Sequence, residues 1–199
     1  MLIQLFIIKR EHLCCNVSFK ILKLHKSGLN HLLFNIINLS VLVGMEQILS
    51  TLNFETKGQG FTDITNDINL WIQNKKLQKG ILLIFLKHTS CSLIINENAD
   101  INVLKDLSNY MKAIVPEEGF YTIDKRSKRI NYLHSEEGLD DMPAHIRTML
   151  TSNSLGFSVV DGKLEIGLWQ AIYIWEHRTS NKSRSLQLHA IGDFDLNYN

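Results

Sequence analysis

A two-residue turn signal near the end of the chain constrains the fold more than any other feature of the sequence. Asp161-Gly162 separates two runs with strand composition, Ser154 to Val160 and Lys163 to Gly167, and this dipeptide is typical of a β-hairpin. Trp169 to Arg178 alternates as a strand does, and Ser185 to Ile191 is predicted as a last strand. This part of the chain is therefore predicted to form antiparallel sheet.

The preceding part of the chain adds further strands and helices. Ile48 to Thr56 alternates as a strand, and the unbroken apolar run from Ile81 to Leu86 predicts a buried strand. Thr65 to Gln78 is predicted as a helix, a second helix begins at an Asp100 cap, and a third begins near Asp141. About seven strands and three helices indicate an α+β fold rather than repeating βαβ units.

The densest group of ionisable side chains lies between His134 and His145, in the stretch HSEEGLDDMPAH. Asp141 is predicted to cap a helix there, with Pro143 in its first turn. Asp141 and His145 are four residues apart and therefore share one face of that helix. The residues predicted to point inward are Ile146, Met149 and Leu150. A helix cap in a solvated acidic loop would explain each residue singly, so the functional interpretation rests on the whole cluster.

Three histidines near polar clusters could together hold a divalent metal ion. They are His134, His145 and His177. Three protein ligands is the number that a catalytic zinc site uses. Asp140 and Asp141 add oxygen ligands, which suit Mg²⁺ bridging to a phosphate or pyrophosphate. The sequence therefore predicts a divalent metal cofactor, zinc or magnesium.

Polar groups also interrupt apolar elements at three other places, and such positions converge on one rim in many folds. They are His88 to Ser92, Asn96-Glu97, and Gln170 with Glu176-His177-Arg178. Cys91 is either a small buried residue or a reactive thiol. The segment from Glu176 to Arg178 is either part of a site or an exposed strand end with a surface ion pair. For Trp169 the alternative to a functional role is core packing.

Composition excludes several classes of function. The formal net charge is +1 and no basic patch stands out, so nucleic-acid binding is not expected. No apolar run is long enough to cross a bilayer without charges, so no membrane association is expected. The three cysteines have no metal-type spacing and do not call for disulfides. This usage favours a reducing compartment, the cytoplasm.

Residues 1–44 differ in composition from the remainder of the chain. They contain one acidic residue, Glu11, and are rich in Leu, Ile and Asn. A signal peptide fits poorly because the apolar run comes before Lys9-Arg10. A targeting peptide and an upstream extension are the other interpretations. We favour an extension that is not part of the fold, since strand periodicity begins just after Met45, and we expect the domain to span residues 45–199.

Four linked motifs carry a family resemblance. They are His88 to Leu93, Asn96 to Asp100, Glu137 to His145, and Trp169-Gln170 with Glu176-His177-Arg178. With these motifs the chain resembles the YjbQ family, also called UPF0047, from about Met45 to Gly192. The resemblance implies a compact α+β domain that assembles as a homotrimer. It also implies a secondary thiamine-phosphate synthase, which joins a pyrimidine pyrophosphate to a thiazole phosphate and releases pyrophosphate.

The resemblance also implies roles for individual residues toward a small phosphorylated metabolite. Asp140 and Asp141 would hold a metal against the leaving pyrophosphate, and Arg178 would neutralise charge on it. The metal ligands or general acid would come from His134, His145 and His177. The other expected catalytic residues are His88, Cys91, Asn96, Glu97, Glu137, Trp169, Gln170 and Glu176.

Two positions depart from the usual pattern of the family. Leu168 stands where a threonine is common, and Ala171 stands where a glycine is common. Neither change removes a titratable group, so the expected site is retained. Two other functions fit the same side chains, namely a metabolite-binding homotrimer without catalysis and a metal-dependent hydrolase.

Overall fold

The computed structural model describes residues 46–122 and 128–195, so the predicted extension over residues 1–44 lies outside the described part. The described residues form eight strands and three helices. In chain order these are β1 (Glu46–Thr56), β2 (Gly60–Asp63), α1 (Thr65–Asn74), β3 (Leu77–Leu86), β4 (Cys91–Glu97), α2 (Ile101–Ile114), α3 (Asp141–Leu150), β5 (Ser154–Val160), β6 (Lys163–Leu164), β7 (Gln170–Glu176) and β8 (Lys182–Phe194). No helix among them is long and apolar enough to cross a membrane.

The described strands form two antiparallel sheets. The larger sheet has the order β1-β8-β3-β5-β6, and the smaller has the order β2-β7-β4. The main core combines residues of both sheets, such as Leu82, Leu188 and Ile174, with Ile68 and Ile72 of α1. The predicted α+β class is confirmed.

The hairpin that the sequence predicted is present. Asp161 and Gly162 have φ values of 50° and 72°, so both central residues adopt the left-handed conformation that this tight turn requires. The return strand β6 has two residues, fewer than the predicted Lys163 to Gly167. The segment after Leu164 leaves the ladder, and β7 joins the smaller sheet instead.

The first predicted helix ends earlier than expected. It stops at Asn74, and Lys76 has a φ of 56°, which breaks the helix. The chain then enters β3 at Leu77, so Gly80 lies inside a strand. A Cβ at Gly80 would lie 2.3 Å from the carbonyl oxygen of Ile191, because β8 approaches closely there.

The strand β3 is buried on one face only. Its inward residues are Leu82, Ile84 and Leu86, and each is fully buried. Its outward residues are Ile81, Leu83 and Phe85, with exposed fractions of 63, 46 and 38%. The prediction of a buried strand is therefore wrong for one face of the single chain. This face carries an apolar patch on the larger sheet, defined by Ile81, Leu83 and Phe85.

The predictions for the other two helices differ in their outcome. For α2 the side chain of Asp100 accepts a hydrogen bond from the Asn102 amide at 2.8 Å, so the predicted cap is confirmed. For α3 the cap position is Asp140, one residue earlier than predicted. Its buried side includes Asp141 and Arg147, whereas Met149 and Leu150 are exposed. The inward face of α3 is therefore mixed, since Pro143 and Ala144 are buried beside these charged residues, and the inward prediction for Met149 and Leu150 is wrong.

Candidate metal centre

One group of side chains in the described residues has the arrangement of metal ligands. The nitrogen and oxygen atoms of His134, Asp141 and His145 that could bind an ion lie within 4.8 Å of one another. The Nε2 atom of His134 is 3.0 Å from Asp141 Oδ2, and the Nε2 atom of His145 is 3.5 Å from Asp141 Oδ1. Asp141 is buried, while both histidines are partly open to solvent. We call this group the His-Asp-His cluster.

Local sequence explains how the His-Asp-His cluster forms. Asp141 opens α3 and His145 lies one turn later, so they share the face that the four-residue spacing predicted. Gly138 turns the preceding loop with a φ of 124°, a conformation that L side chains rarely adopt. That turn brings His134 back against the start of α3, and the rings of His134 and His145 lie 5.4 Å apart.

The orientation of His145 leaves one ring nitrogen available to a metal. Its Nδ1–H donates a hydrogen bond to the carbonyl oxygen of Thr89 at 2.8 Å. This bond requires the proton on Nδ1, so Nε2, the nitrogen nearer Asp141, is the one that a metal could bind. A hydrogen bond from the second ring nitrogen to a backbone carbonyl is the usual support of a metal-binding histidine.

Arg178 fixes the carboxylate of Asp141. Its Nη1 donates to Asp141 Oδ1, and its Nε donates to Asp140 Oδ2 at 3.1 Å. Its two terminal nitrogens also contact Glu137, through the side chain at 3.2 Å and the carbonyl at 3.0 Å. Arg178 is 5% exposed, so this guanidinium is enclosed by acidic partners from its own chain. In this structure it holds Asp141 in place, and its donors contact acidic residues of its own chain.

The other oxygen of Asp141 has the environment expected of a metal ligand. Asp141 Oδ2 is buried and has no hydrogen bond among the described residues, although His134 Nε2 is within ion-pair distance. A buried carboxylate oxygen needs a donor or a cation, and either an N–H on His134 Nε2, 3.0 Å away, or a metal ion shared by the two side chains would meet this need. Two imidazole nitrogens and one carboxylate oxygen suit zinc or a similar transition metal better than Mg²⁺, which prefers oxygen ligands.

Asp140 does not share this role. Its Oδ2 accepts hydrogen bonds from Arg178, from the Thr179 amide at 2.7 Å and from the Thr179 hydroxyl at 3.0 Å. Burial would raise the pKa of Asp140, but these hydrogen bonds and the charge of Arg178 lower it overall. The group of possible metal ligands therefore contains Asp141 without Asp140, whose hydrogen bonds anchor the segment that carries Arg178.

The segment Glu176-His177-Arg178 is buried, not an exposed strand end. Glu176 Oε1 accepts from Arg184 at 2.6 Å and from the amides of His177 and Arg178 at 3.0 and 2.9 Å. Its Oε2 accepts from Arg184 at 2.7 Å and from the Thr56 hydroxyl at 2.7 Å. Burial alone would raise the pKa of Glu176, yet the hydrogen bonds lower it. A carboxylate with five donors is a structural anion rather than a proton acceptor.

His177 lies outside the His-Asp-His cluster. Its Nε2 shares a hydrogen bond of 2.9 Å with the Ser92 hydroxyl, and the side chain is 1% exposed. Burial, with the charge of Arg147 as the next cause, lowers the pKa of His177 to about 3. The three predicted histidines therefore do not converge, and Asp141 takes the third position beside His134 and His145.

The low pKa of His177 predicts a loss of stability in acid. The unfolded chain takes up a proton near pH 6.5, whereas the native imidazole resists protonation down to about pH 3. Native stability should therefore fall as pH drops below 6.5, by up to about 1.4 kcal/mol per pH unit from this group. Urea unfolding between pH 7 and pH 4 measures the slope. His177→Gln should flatten it and His189→Gln, at a half-buried position, should not, so equal slopes in all three proteins would contradict the prediction.

His88 lies half-buried beside this network, and Cys91 is part of the core. The Nε2 of His88 accepts a hydrogen bond from the Ser185 amide at 2.8 Å, and burial lowers its pKa. Cys91 is fully buried, and burial raises the pKa of its thiol to about 12. Burial with a raised pKa favours the alternative of a small buried residue over that of a reactive thiol.

The remaining predicted residues lie at the opposite end of the smaller sheet. Asn96, Glu97, Trp169 and Gln170 line a groove of about 550 Å³. The register of β4 and β7 pairs Cys91 with Glu176 and Glu97 with Gln170. Six residues of strand separate the two ends, roughly 20 Å. Trp169 is 62% exposed, so it does not pack in the core. Within one chain the structure thus divides the predicted site into two parts.

Sequence reasoning missed two buried arginines. Arg184 forms the ion pair with Glu176 and also donates to the Ser90 hydroxyl at 3.1 Å. Arg147 lies on the buried side of α3, where its Nη2 donates to the Val115 carbonyl at 2.8 Å. The signal for Arg184 was a charge within strand patterning, but the last strand was predicted to begin at Ser185, three residues after the actual start of β8 at Lys182.

Comparison with known proteins identifies the family. A family model described as UPF0047 protein YjbQ-like matches residues 50–193. The chain belongs to the UPF0047 family. A UPF0047 protein of Synechocystis sp. is 40% identical over 138 residues, covering 69% of this chain and 87% of that protein. The UPF0047 protein YjbQ of Escherichia coli O157:H7 is 36% identical over 137 residues, covering 68% and 91%. The predicted family is confirmed, and none of these names states a thiamine-phosphate synthase activity.

Solved structures of UPF0047 proteins share the fold. A YbjQ-like protein of unknown function from Sulfolobus solfataricus P2 is similar with a TM-score of 0.61 at 20% identity, covering 75% of this chain and 99% of that chain. An uncharacterized conserved YjbQ/UPF0047 family protein from Clostridium acetobutylicum has a TM-score of 0.56 at 26% identity, covering 72% and 98%. These similarities establish the fold of this UPF0047 protein and give no evidence on its activity.

Proposed function

We propose that this UPF0047 protein is a divalent-metal-dependent enzyme that acts on a phosphorylated small molecule. His134, Asp141 and His145 would hold the metal ion, with zinc preferred over magnesium. The observation that carries the proposal is the grouping of Asp141 with two histidines, because its buried Oδ2 lies 3.0 Å from His134 Nε2 and its Oδ1 lies 3.5 Å from His145 Nε2. Three protein ligands leave a position for a substrate oxygen, as catalytic sites require.

The protein's own contribution is to orient the ligands. A bound metal would act as a Lewis acid on a phosphoryl oxygen or activate a water molecule. Arg178 fixes Asp141 and prevents its carboxylate from rotating toward solvent, and the Thr89 carbonyl fixes the ring of His145. Glu137 is 70% exposed beside this group, so its carboxylate is open to a bound ligand, and it would serve as the general base.

A thiamine-phosphate synthase activity is the specific form of this proposal that the family resemblance suggests. It would couple a pyrimidine pyrophosphate to a thiazole phosphate, and the metal at the His-Asp-His cluster would stabilise the leaving pyrophosphate. Arg178 would take part only after exchanging a carboxylate partner for a phosphate, since its donors now contact Glu137, Asp140 and Asp141. A metal-dependent hydrolase would use the same ligands with water as nucleophile.

The experiment that tests the proposal measures both the metal content of the protein and its turnover with and without metal. Purified protein should retain about one transition-metal ion per chain by elemental analysis. Pyrophosphate or phosphate release from the pyrimidine and thiazole pair, and from simple phosphate esters, should stop after chelation and return with added Zn²⁺. Calorimetric binding of these compounds without any product would favour the metabolite-binding alternative. Turnover that persists in metal-free protein would refute the proposal.

We also propose that the chain assembles as a homotrimer. The apolar patch of Ile81, Leu83 and Phe85 supports self-association, because an exposed apolar sheet face in one chain is commonly covered by another. Assembly could also bring the groove at Trp169 of one chain to the His-Asp-His cluster of another. Sedimentation equilibrium decides the point, since the mass of a single chain would exclude the proposal.

A cytoplasmic location is the last part of the proposal. Cys91 is a free buried thiol, which fits a reducing compartment. Fractionation of cells that produce the full chain tests this, and recovery with an organelle or membrane fraction would contradict it.

A further inference from the structure

A small cavity lies between α2, α3 and the end of β7, on the side of α3 away from the His-Asp-His cluster. Its volume is about 40 Å³, and its polar lining includes Gln59, Ser108, Lys112, Arg147 and His177. Successive residues of a helix are about 100° apart, so Arg147 and His145 project about 200° apart from α3. The cavity is therefore separate from the proposed metal centre.

Arg147 is the buried cation of this cavity, and its charge is only partly matched. It is 3% exposed, and its Nη2 donates to the Val115 carbonyl at 2.8 Å. Its nearest carboxylate, Glu117, lies 3.6 Å from Nη1 and is itself partly exposed. Its Nε is buried and has no hydrogen-bond partner among the described residues. A guanidinium in this state retains a donor for a further acceptor.

The other lining groups add positive charge and neutral donors. Lys112 lies on the exposed side of α2, at the rim of the cavity. Ser108 contributes a hydroxyl one turn before it. Glu176 also borders the cavity, but its charge is matched by Arg184. Glu117 is the competing anion, and it already accepts a hydrogen bond from Gln59 at 2.7 Å. Two cations therefore face the cavity, against two carboxylates that already have other partners, Glu176 with Arg184 and Glu117 with Gln59.

We propose that this cavity binds a phosphate oxyanion, with Arg147 and Lys112 as its charged contacts. Arginine suits this ligand because its planar fork presents several donors to tetrahedral oxygens. Lysine at an open rim supplies a point charge to the outer oxygens. The volume admits one small oxyanion or one to two water molecules and is too small for a whole metabolite. The ligand is therefore free phosphate or the terminal phosphoryl group of a larger molecule.

Phosphate binding to the full chain tests the proposal. Protein stripped of metal and dialysed free of chelator is titrated with inorganic phosphate and, in a second arm, with methyl phosphate, by calorimetry at fixed ionic strength. We expect saturable binding of phosphate with a Kd below about 10 mM. Binding of both compounds would identify a phosphoryl group as the ligand, and binding of phosphate alone would identify the free anion. Because metal is absent, the result does not depend on the proposed enzyme activity.

Paired variants assign the binding to this cavity. Lys112→Ala should weaken phosphate binding by roughly tenfold, the loss expected for one charge-assisted contact. Lys105→Ala is the matched control, since it lies two turns earlier on the same side of α2 and is not in the cavity lining. Arg147→Lys keeps the charge but loses the fork, and should weaken binding at least as much. No saturable binding, which would mean that only water occupies the cavity, or equal binding by wild type and Lys112→Ala, would overturn the proposal.

Discussion

Replacing His145 by alanine is expected to abolish the binding of a divalent metal while the protein stays folded. His145 supplies one of three ligands, and its loss leaves one imidazole and one carboxylate. Removing a supporting residue around a metal commonly costs 10- to 100-fold in affinity, so removing a ligand should cost at least about 100-fold. Competition with a chelating dye at fixed pH measures the affinity, and turnover should be lost with it.

The fold should tolerate this change because His145 is partly exposed. Its side chain is 32% exposed, and its hydrogen bond to the Thr89 carbonyl is replaceable by water. We therefore expect a loss of stability of about 1 kcal/mol, which circular dichroism and urea unfolding would detect. His189→Ala is the control, since His189 contacts Gln47 on the larger sheet and lies outside the cluster. A His145→Ala protein that binds metal as tightly as wild type would remove the His-Asp-His cluster from the mechanism.

Local signals in the sequence predicted the parts of the fold that depend on near neighbours. The left-handed turn at Asp161-Gly162, the Asp100 cap and the shared face of Asp141 and His145 all involve residues within four positions of each other. Such features follow from backbone conformation and helical spacing alone. They were sufficient to predict two of the three members of the His-Asp-His cluster together with their helix.

Predictions that required knowledge of what covers an element failed. An exposed strand end was one interpretation of Glu176 to Arg178, yet β7 is the middle strand of its sheet and its residues from Ala171 to Glu176 are all buried. For β3 the reverse holds, since an apolar run has one face open in the single chain. Periodicity reports the spacing of apolar side chains, whereas burial depends on which layers pack above and below.

The sequence could not predict the charge pairs of the site, and the reason is related. Arg178 meets Asp140 and Asp141 across 38 and 37 residues of chain, and Arg147 meets Val115 across 32. Which carboxylate an arginine meets is set by strand register and helix position, and these are determined by core packing. His177 was assigned to the metal for this reason, whereas its actual partner is Ser92, 85 residues earlier.

Glu176→Gln is expected to destabilise the protein by about 3–5 kcal/mol, the cost of leaving a buried ion without its partner. The substitution keeps the shape of the side chain but removes the charge that Arg184 pairs with at 2.6 Å. Arg184 is buried and has one further hydrogen bond in the described structure, to Ser90. Urea unfolding at pH 7 measures the loss. Glu137→Gln is the control, because Glu137 pairs with Arg178 while 70% exposed and should change stability by about 0–1 kcal/mol.

The stability difference between wild type and Glu176→Gln is also expected to depend on pH. Hydrogen bonds from Arg184, Arg178 and Thr56 outweigh the effect of burial and lower the pKa of Glu176 below its ordinary value of 4.5. A lowered carboxyl pKa stabilises the native state fully above pH 4.5, and this contribution is lost as pH falls through the native pKa. The difference in stability between wild type and Glu176→Gln should therefore be constant from pH 7 to about pH 5 and shrink in stronger acid. A difference that stays the same in acid, or that is as small as for Glu137→Gln, would mean that Glu176 is not the buried anion of this fold.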